Sequence, residues 1–314
     1  MSQKIIYTNK KYYNMSIIYE IRDFFYTLSR SLKPKRMSFK DWVVNIYLKF
    51  RWNIIRWFSN IHKNNESLEI KKGFDLTFSD YFNKVNWDRF GEDKWKIGEH
   101  WGLVHPRKLN VWYGEPLFEN GKTKFICKYN PREFTINGEK HIIPFKVSLL
   151  SSAKWFRQQY GRFECRMQLP DVPHSWPAFW LWGPTWPPEI DVIEAYGRNT
   201  GKQAIYQEPQ LWWGEKYGGH KSARPWMWKL GKRSDLNNRF WEFAVEWSPN
   251  KIEWFTNGIK VWKITNKKIL NNYFQNGPMW IVINNSIRNY SKHDQDYWSE
   301  FEVDYIRAYQ FKNK

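Results

Sequence analysis

Trp186-Pro187-Pro188-Glu189-Ile190-Asp191-Val192-Ile193-Glu194-Ala195-Tyr196-Gly197 reads as a buried β-strand with three acids inside six residues. Glu189 and Asp191 lie two apart and share a face. Glu194, five after Glu189, points the other way in a regular strand. One β-bulge within Val192-Ile193 would return it to the face of the other two, and bulges are common beside active sites. Aligned like charges destabilise an exposed strand, so this arrangement calls for a reason.

Three readings of the acids stand side by side. They are the solvent face of an exposed strand, or a cation site, although no calcium-loop spacing is present, or a catalytic set. Chemistry favours the third. With the bulge, Glu189 and Glu194 are effectively four residues apart, ~13 Å along the strand at ~3.3 Å per residue. Side chains leaning together would bring their carboxyls to roughly 5–6 Å, near the ~5–5.5 Å of a carboxylate pair that works by double displacement.

Working outward, the period stays that of strands. Phe163, Cys165, Met167 and Leu169 alternate with Arg162, Glu164, Arg166 and Gln168. Phe243, Val245 and Trp247 alternate with Glu242, Ala244 and Glu246, Trp280, Val282 and Asn284 with Ile281, Ile283 and Asn285, and a last run covers Phe301 to Tyr309. Asn-Gly pairs at Asn120, Asn137, Asn257 and Asn276 are hairpin signals between such runs. Many short strands with little helix predict an all-β sandwich or jelly roll over residues 71–314.

Residues 1–70 differ. Residues 1–72 hold 15 Lys/Arg against 5 Asp/Glu, whereas the whole chain of 314 residues holds 50 against 31, a net charge of +19. Ser38 and Asp41 resemble a capping box, and Trp42, Val43, Ile46, Tyr47, Phe50, Ile54, Trp57, Phe58 and Ile61 follow a helical period. A shorter helix is expected at about 17–30, before Pro34. This basic helical extension is read as docking on a protein partner or second subunit, in preference to a membrane surface or nucleic acid.

Further blocks extend the pattern. Tyr160-Gly161-Arg162-Phe163-Glu164-Cys165-Arg166, Trp176-Pro177-Ala178-Phe179-Trp180-Leu181, Phe243-Ala244-Val245-Glu246-Trp247-Ser248-Pro249 and Val303-Asp304-Tyr305-Ile306-Arg307-Ala308-Tyr309 accompany Glu189-x-Asp191-x-x-Glu194. In this order they resemble glycoside hydrolase family 16, of the concanavalin A-like lectin/glucanase superfamily, in its bulged E-x-D-x-x-E form. The resemblance covers residues 74–311. It implies a jelly roll of two curved antiparallel sheets and endo-hydrolysis of a β-linked polysaccharide, a β-glucan, a galactan such as agarose, porphyran or carrageenan, or an acidic bacterial capsule. It also implies that Glu189 is the nucleophile, Glu194 the acid and base, and Asp191 the residue that tunes the nucleophile. No cofactor and no catalytic metal is expected. A structural calcium occurs in parts of the family, with no ligands identifiable here.

Sugar rings stack on indole, so Trp176, Trp180, Trp182 and Trp186 are the first candidates to line a cleft, followed by Trp212 and Trp213. Trp180 and Trp182 are equally readable as core. Asn284 takes the place of a cleft asparagine in the family, and His220 is a further candidate. Ala204-Ile205-Tyr206 replaces a strand where many members carry a histidine, and Gln207–Arg224 fits no subfamily. The basic balance points to a polyanionic glycan, although over half the excess charge lies in the N-terminal segment.

The rival readings are a non-catalytic carbohydrate-binding module on the same fold and an adsorption protein of a larger particle, such as a virion component. Zinc-protease H-E-x-x-H, nucleophile-elbow G-x-S-x-G and Cys-x-x-Cys patterns are absent. Cys127 and Cys165 are expected as free thiols. No signal-peptide pattern and no run of roughly 18 apolar residues occurs. The expectation is synthesis in the cytoplasm, with release by lysis or packaging into a particle.

Overall fold

The computed structural model describes residues 73–82, 94–105, 109–120, 122–170, 172–196, 206–207, 210–214, 220–223, 240–288 and 295–312. The helical extension expected over residues 1–70 lies outside them. In chain order the strands are β1 (Phe74–Asp80), β2 (Lys96–Ile97), β3 (Val111–Gly114), β4 (Leu117–Glu119), β5 (Lys122–Ile136), β6 (Glu139–Ser151), β7 (Gly161–Gln168), β8 (Ser175–Trp182) and β9 (Glu189–Tyr196). They continue with β10 (Tyr206–Gln207), β11 (Gln210–Gly214), β12 (His220–Ala223), β13 (Trp241–Ser248), β14 (Lys251–Thr256), β15 (Ile259–Ile264), β16 (Trp280–Ile287) and β17 (Trp298–Phe311). Among the described residues a short helix, α1 (Lys267–Tyr273), is capped by the Asn266 side chain, which accepts from the backbone N–H groups of Lys268 and Ile269.

Pairing sorts the strands into two runs. One reads β12–β11–β9–β8–β16–β6, with β5 antiparallel and β3 parallel to β6. The other reads β1–β17–β7–β13–β14–β15. The first residues of β17 also pair with β5, so one long strand serves both runs. This is the antiparallel jelly-roll architecture that the strand pattern predicts.

Alternation decides what is buried. Phe163, Cys165, Met167, Phe243, Val245 and Trp247 on one run, and Phe179, Leu181, Ile190, Ile193, Ile281 and Ile283 on the other, are wholly shielded from solvent. Both cysteines are free and buried, Cys127 on β5 and Cys165 on β7. Burial pushes both thiols well above their ordinary range.

The alternate residues of β7 are not a plain solvated face. Arg162 is buried and donates to Glu164 at 2.8 Å, Glu242 at 2.9 Å and Glu246 at 3.0 Å, so three acids from two strands neutralise and fix it. At the start of β7, Gly161 has φ +109, and a Cβ there would run into the Tyr309 carbonyl oxygen. Only glycine lets β17 pass that close.

Three of the four Asn-Gly signals sit at hairpins. Asn137-Gly138 joins β5 to β6 and Asn257-Gly258 joins β14 to β15, all four residues with positive φ as a two-residue turn needs. Asn120 lies at the β4–β5 connection. Asn276-Gly277 is different: it follows α1 and leads into β16, so the pair ends a helical excursion rather than a hairpin.

Candidate active site

The three acids stand on β9, and the pairing with β8 shows how they come to one face. Trp182 faces Glu189, Trp180 faces Asp191 and Ala178 faces Glu194, with the register shifting between Phe179 and Trp180. Val192 is the extra residue, so five positions of β9 span four of β8. Ile190 and Ile193 are fully buried in the core, and the acids share the opposite side with Trp182, Trp180 and Ala178. The Trp254 indole, reaching from β14, donates to the Asp191 carbonyl at 2.8 Å and ties the strand down beside the bulge.

Each glutamate has an indole partner. Trp186 Nε1 donates to Glu189 Oε2 at 2.7 Å, and Trp176 Nε1 donates to Glu194 Oε1 at 2.9 Å. Charge-assisted bonds of this kind hold a carboxylate in one orientation. Between them Asp191 is 2 % exposed, and its Oδ2 has no hydrogen-bond partner among the described residues. Burial, above all, and then the Glu189 and Glu194 carboxylates raise the Asp191 carboxyl well above its ordinary range, against the opposing pull of the Trp212 indole.

The aromatic candidates divide. Trp176, Trp180 and Trp186 are half-buried around the acids. Trp212 lies directly across from Glu189 on β11, its ring 6.1 Å from that of Trp186. Trp182 shares the face but is only 7 % exposed, packed against Trp101, Trp180 and Trp280. It belongs to a second hydrophobic cluster on this side of the sheet, with Tyr113, Val147 and Val282.

Asn284, on β16 opposite Ala178, accepts from Trp180 Nε1 at 2.9 Å and donates to the Trp176 carbonyl at 3.4 Å. Its amide sets the two tryptophans. Trp213 and His220 stand apart from this set. Trp213 shares the parity of buried Leu211, so strand alternation turns it away from the acids. His220 pairs through its backbone with Gly214, and its side chain lies outside the described residues.

Trp280, Trp254, Glu99, His100 and Trp101 are site neighbours that sequence reasoning passed over. Trp280 was detectable, because it has the parity of Asn284 on the same strand. His100 and Trp101 come from a connecting segment that no strand period reaches. Among the described residues, no three His, Cys, Asp or Glu side chains are grouped to hold a metal ion, and no helix is long and apolar enough to cross a membrane.

Comparison with known proteins gives the same architecture. The family model described as glycosyl hydrolases family 16 matches residues 118–307. The endo-1,3-1,4-beta-glycanase EglC of Rhizobium meliloti is 24 % identical over 271 residues, 79 % of this chain and 55 % of that protein. The chain thus spans about half the length of that relative. The catalytic domain of an endo-1,3-beta-glucanase (laminarinase) from Thermotoga petrophila superposes with a TM-score of 0.59 at 20 % identity, over 76 % of this chain and 99 % of that one. The kappa-carrageenase of Pseudoalteromonas carrageenovora, in complex with a kappa-carrageenan oligotetrasaccharide, superposes with a TM-score of 0.56 at 19 % identity, over 78 % of this chain and 99 % of that one.

Proposed function

The chain belongs to glycosyl hydrolase family 16, and on that footing we propose that it is an endo-acting glycoside hydrolase that cleaves a β-linked polysaccharide with retention of configuration. The observation that carries this reading is the bulge at Val192, which sets Glu189, Asp191 and Glu194 on one tryptophan-lined face. Named relatives act as β-1,3- and mixed-linkage glucanases and as a carrageenase, so the substrate is a β-glucan or a galactan.

In the first step a Glu189 carboxylate oxygen attacks the anomeric carbon as the glycosidic C–O bond breaks. Glu194 gives its proton to the departing oxygen, which leaves as the free hydroxyl of the shortened chain. In the second step Glu194 takes a proton from water, whose oxygen attacks the same carbon and releases Glu189. The two inversions restore the starting configuration, and both glutamates return to their initial protonation states.

Asp191 works through Glu189. Its proton hydrogen-bonds the nucleophile, tempers the charge of three crowded carboxyls and positions the attacking oxygen. The Trp186 indole restrains the same carboxylate from the other side.

The test is a reducing-end assay on mixed-linkage and β-1,3-glucans, agarose, porphyran, carrageenans and bacterial capsules, run beside Glu189→Gln. Cleavage of one polymer, abolished in the variant, with the β-anomer detected first by NMR, is the expected result. Binding without cleavage by either protein would replace the hydrolase with a carbohydrate-binding or adsorption role. An α-anomer as first product would overturn the double displacement.

A further inference from the structure

A cavity of about 810 Å³ is lined by Lys96, Glu99, His100, Lys154, Arg157 and Trp280 among others, and Trp280 shares the acids' face of the sheet. Its place follows from register. Trp212, Glu189, Trp182 and Trp280 are successive partners on β11, β9, β8 and β16, a row running across the strands. At ~4.8 Å per strand, Trp280 lies about 10 Å from Glu189 along the direction that a chain crossing the sheet would follow. The His100 ring, which also borders the cavity, is 5.5 Å from that of Trp182.

Two of the cavity's cations, Lys154 and Arg157, have no carboxylate partner among the described residues. Arg157 lies over the Trp280 ring at 5.0 Å, and its Nε donates to the Ala153 carbonyl at 2.6 Å. That stack fixes the guanidinium and leaves its terminal nitrogens free to meet a planar or tetrahedral anion. Lys154 lies over the Trp155 ring at 4.5 Å. Among the described residues neither Lys154 nor Arg157 is within ion-pair distance of a carboxylate, in contrast to Lys124, Arg162, Arg166 and Lys260. The cavity's one acid, Glu99, has both oxygens shut away from solvent. Both side chains are exposed, so their charge is available to an anionic ligand entering the cavity.

We infer that this cavity is a remote subsite of the cleft that takes a sugar residue bearing an anionic group, a sulfate ester or a carboxylate, with Arg157 and Lys154 as its contacts. The inference builds on the glycan-cleft reading and narrows the substrate class from β-linked polysaccharides to charged ones.

The test is calorimetric binding to the full chain carrying Glu189→Gln, which keeps the oligosaccharides intact. The probes are a kappa-carrageenan hexasaccharide, a β-linked glucuronate hexasaccharide and neutral laminarihexaose. One charged probe should bind at least about tenfold tighter than laminarihexaose at low ionic strength, a lead that salt erodes. Adding Lys154→Ala with Arg157→Ala should remove about tenfold of its affinity and leave laminarihexaose unchanged. The single Lys154→Gln change, at an exposed position, gives the same direction if the double variant folds poorly.

The sulfate and carboxylate arms identify the group. Equal binding of all three probes, no binding by either charged probe, or equal weakening of charged and neutral probes by the variants would overturn the subsite. Cleavage of a neutral glucan by the unmodified chain without anion preference also sinks the subsite and leaves the hydrolase standing. Charge-selective binding with no polymer cleaved does the reverse.

Discussion

Glu99 gives the sharpest quantitative handle on the cavity. It is 1 % exposed, and burial, outweighing the opposing pull of Ser151, Lys96, the His100 backbone and Trp280, raises its pKa from 4.5 to about 7. The folded chain thus binds this proton more tightly than the unfolded chain does. Stability attached to the group is fully present below about pH 4.5, falls as pH rises, and is lost above about pH 7. At about 1.36 kcal/mol per pH unit, charged Glu99 costs about 1 kcal/mol at pH 5 and about 3 kcal/mol at pH 8. Glu99→Gln keeps the shape and removes the ionisation. Urea unfolding followed by tryptophan emission should therefore show the variant gaining about 2 kcal/mol relative to the parent between those two pH values. Comparing the two proteins at each pH cancels the titration of every other group. A variant-minus-parent difference that does not change with pH would refute the burial argument, because desolvation of the charged form is its only source.

Other outcomes follow from the acids and the bulge. Glu194→Gln should lower kcat on polysaccharide by about 10²–10⁴-fold, yet spare aryl glycosides whose leaving group needs no proton. Glu189→Gln should abolish both, and single-turnover kinetics on the two substrates check the split. Deleting Val192 removes the extra residue and leaves Glu189, Asp191 and Glu194 in regular alternation on one face of β9, so polysaccharide cleavage should survive well above the level of Glu189→Gln, and loss of activity to that level would refute the assignment of Val192 as the extra residue. Asp191→Asn keeps the shape of a buried carboxyl whose pKa burial raises, and a volume-conserving change should cost under about 1.5 kcal/mol there. Because the Asp191 pKa is raised on folding, this variant should gain stability relative to the parent as pH rises, while kcat falls less than in Glu189→Gln.

The fold was legible wherever hydrophobic period and turn chemistry agree. Phe163, Cys165 and Met167 had to face inward because β7 is covered on that side, and Asn137-Gly138 turns because both residues tolerate the consecutive positive φ values of a two-residue hairpin. The acids were legible for a related reason: Glu189-x-Asp191-x-x-Glu194 makes chemical sense on a strand only if one residue is extra, and the register shift at Val192 is that residue. Parity failed at Trp213, where adjacent tryptophans looked equivalent although a strand must send them to opposite faces. It also left Trp182 undecided, because the residues that cover it, His100 and Trp101, are brought there by tertiary packing.

The same distinction explains why the reaction is easier to read than the substrate. Retention needs two carboxyls at one spacing, and a single strand with one bulge supplies both from contiguous residues. The charge selectivity proposed for the cavity would depend instead on β2, the turn after β6, and β16, whose meeting depends on the whole sheet order. Net charge counts all cations alike, yet those at Lys124 and Arg162 are already neutralised by neighbouring glutamates. What can select a polyanion is the subset left without such partners, and Arg157 on Trp280 belongs to it by virtue of contacts that no local pattern encodes.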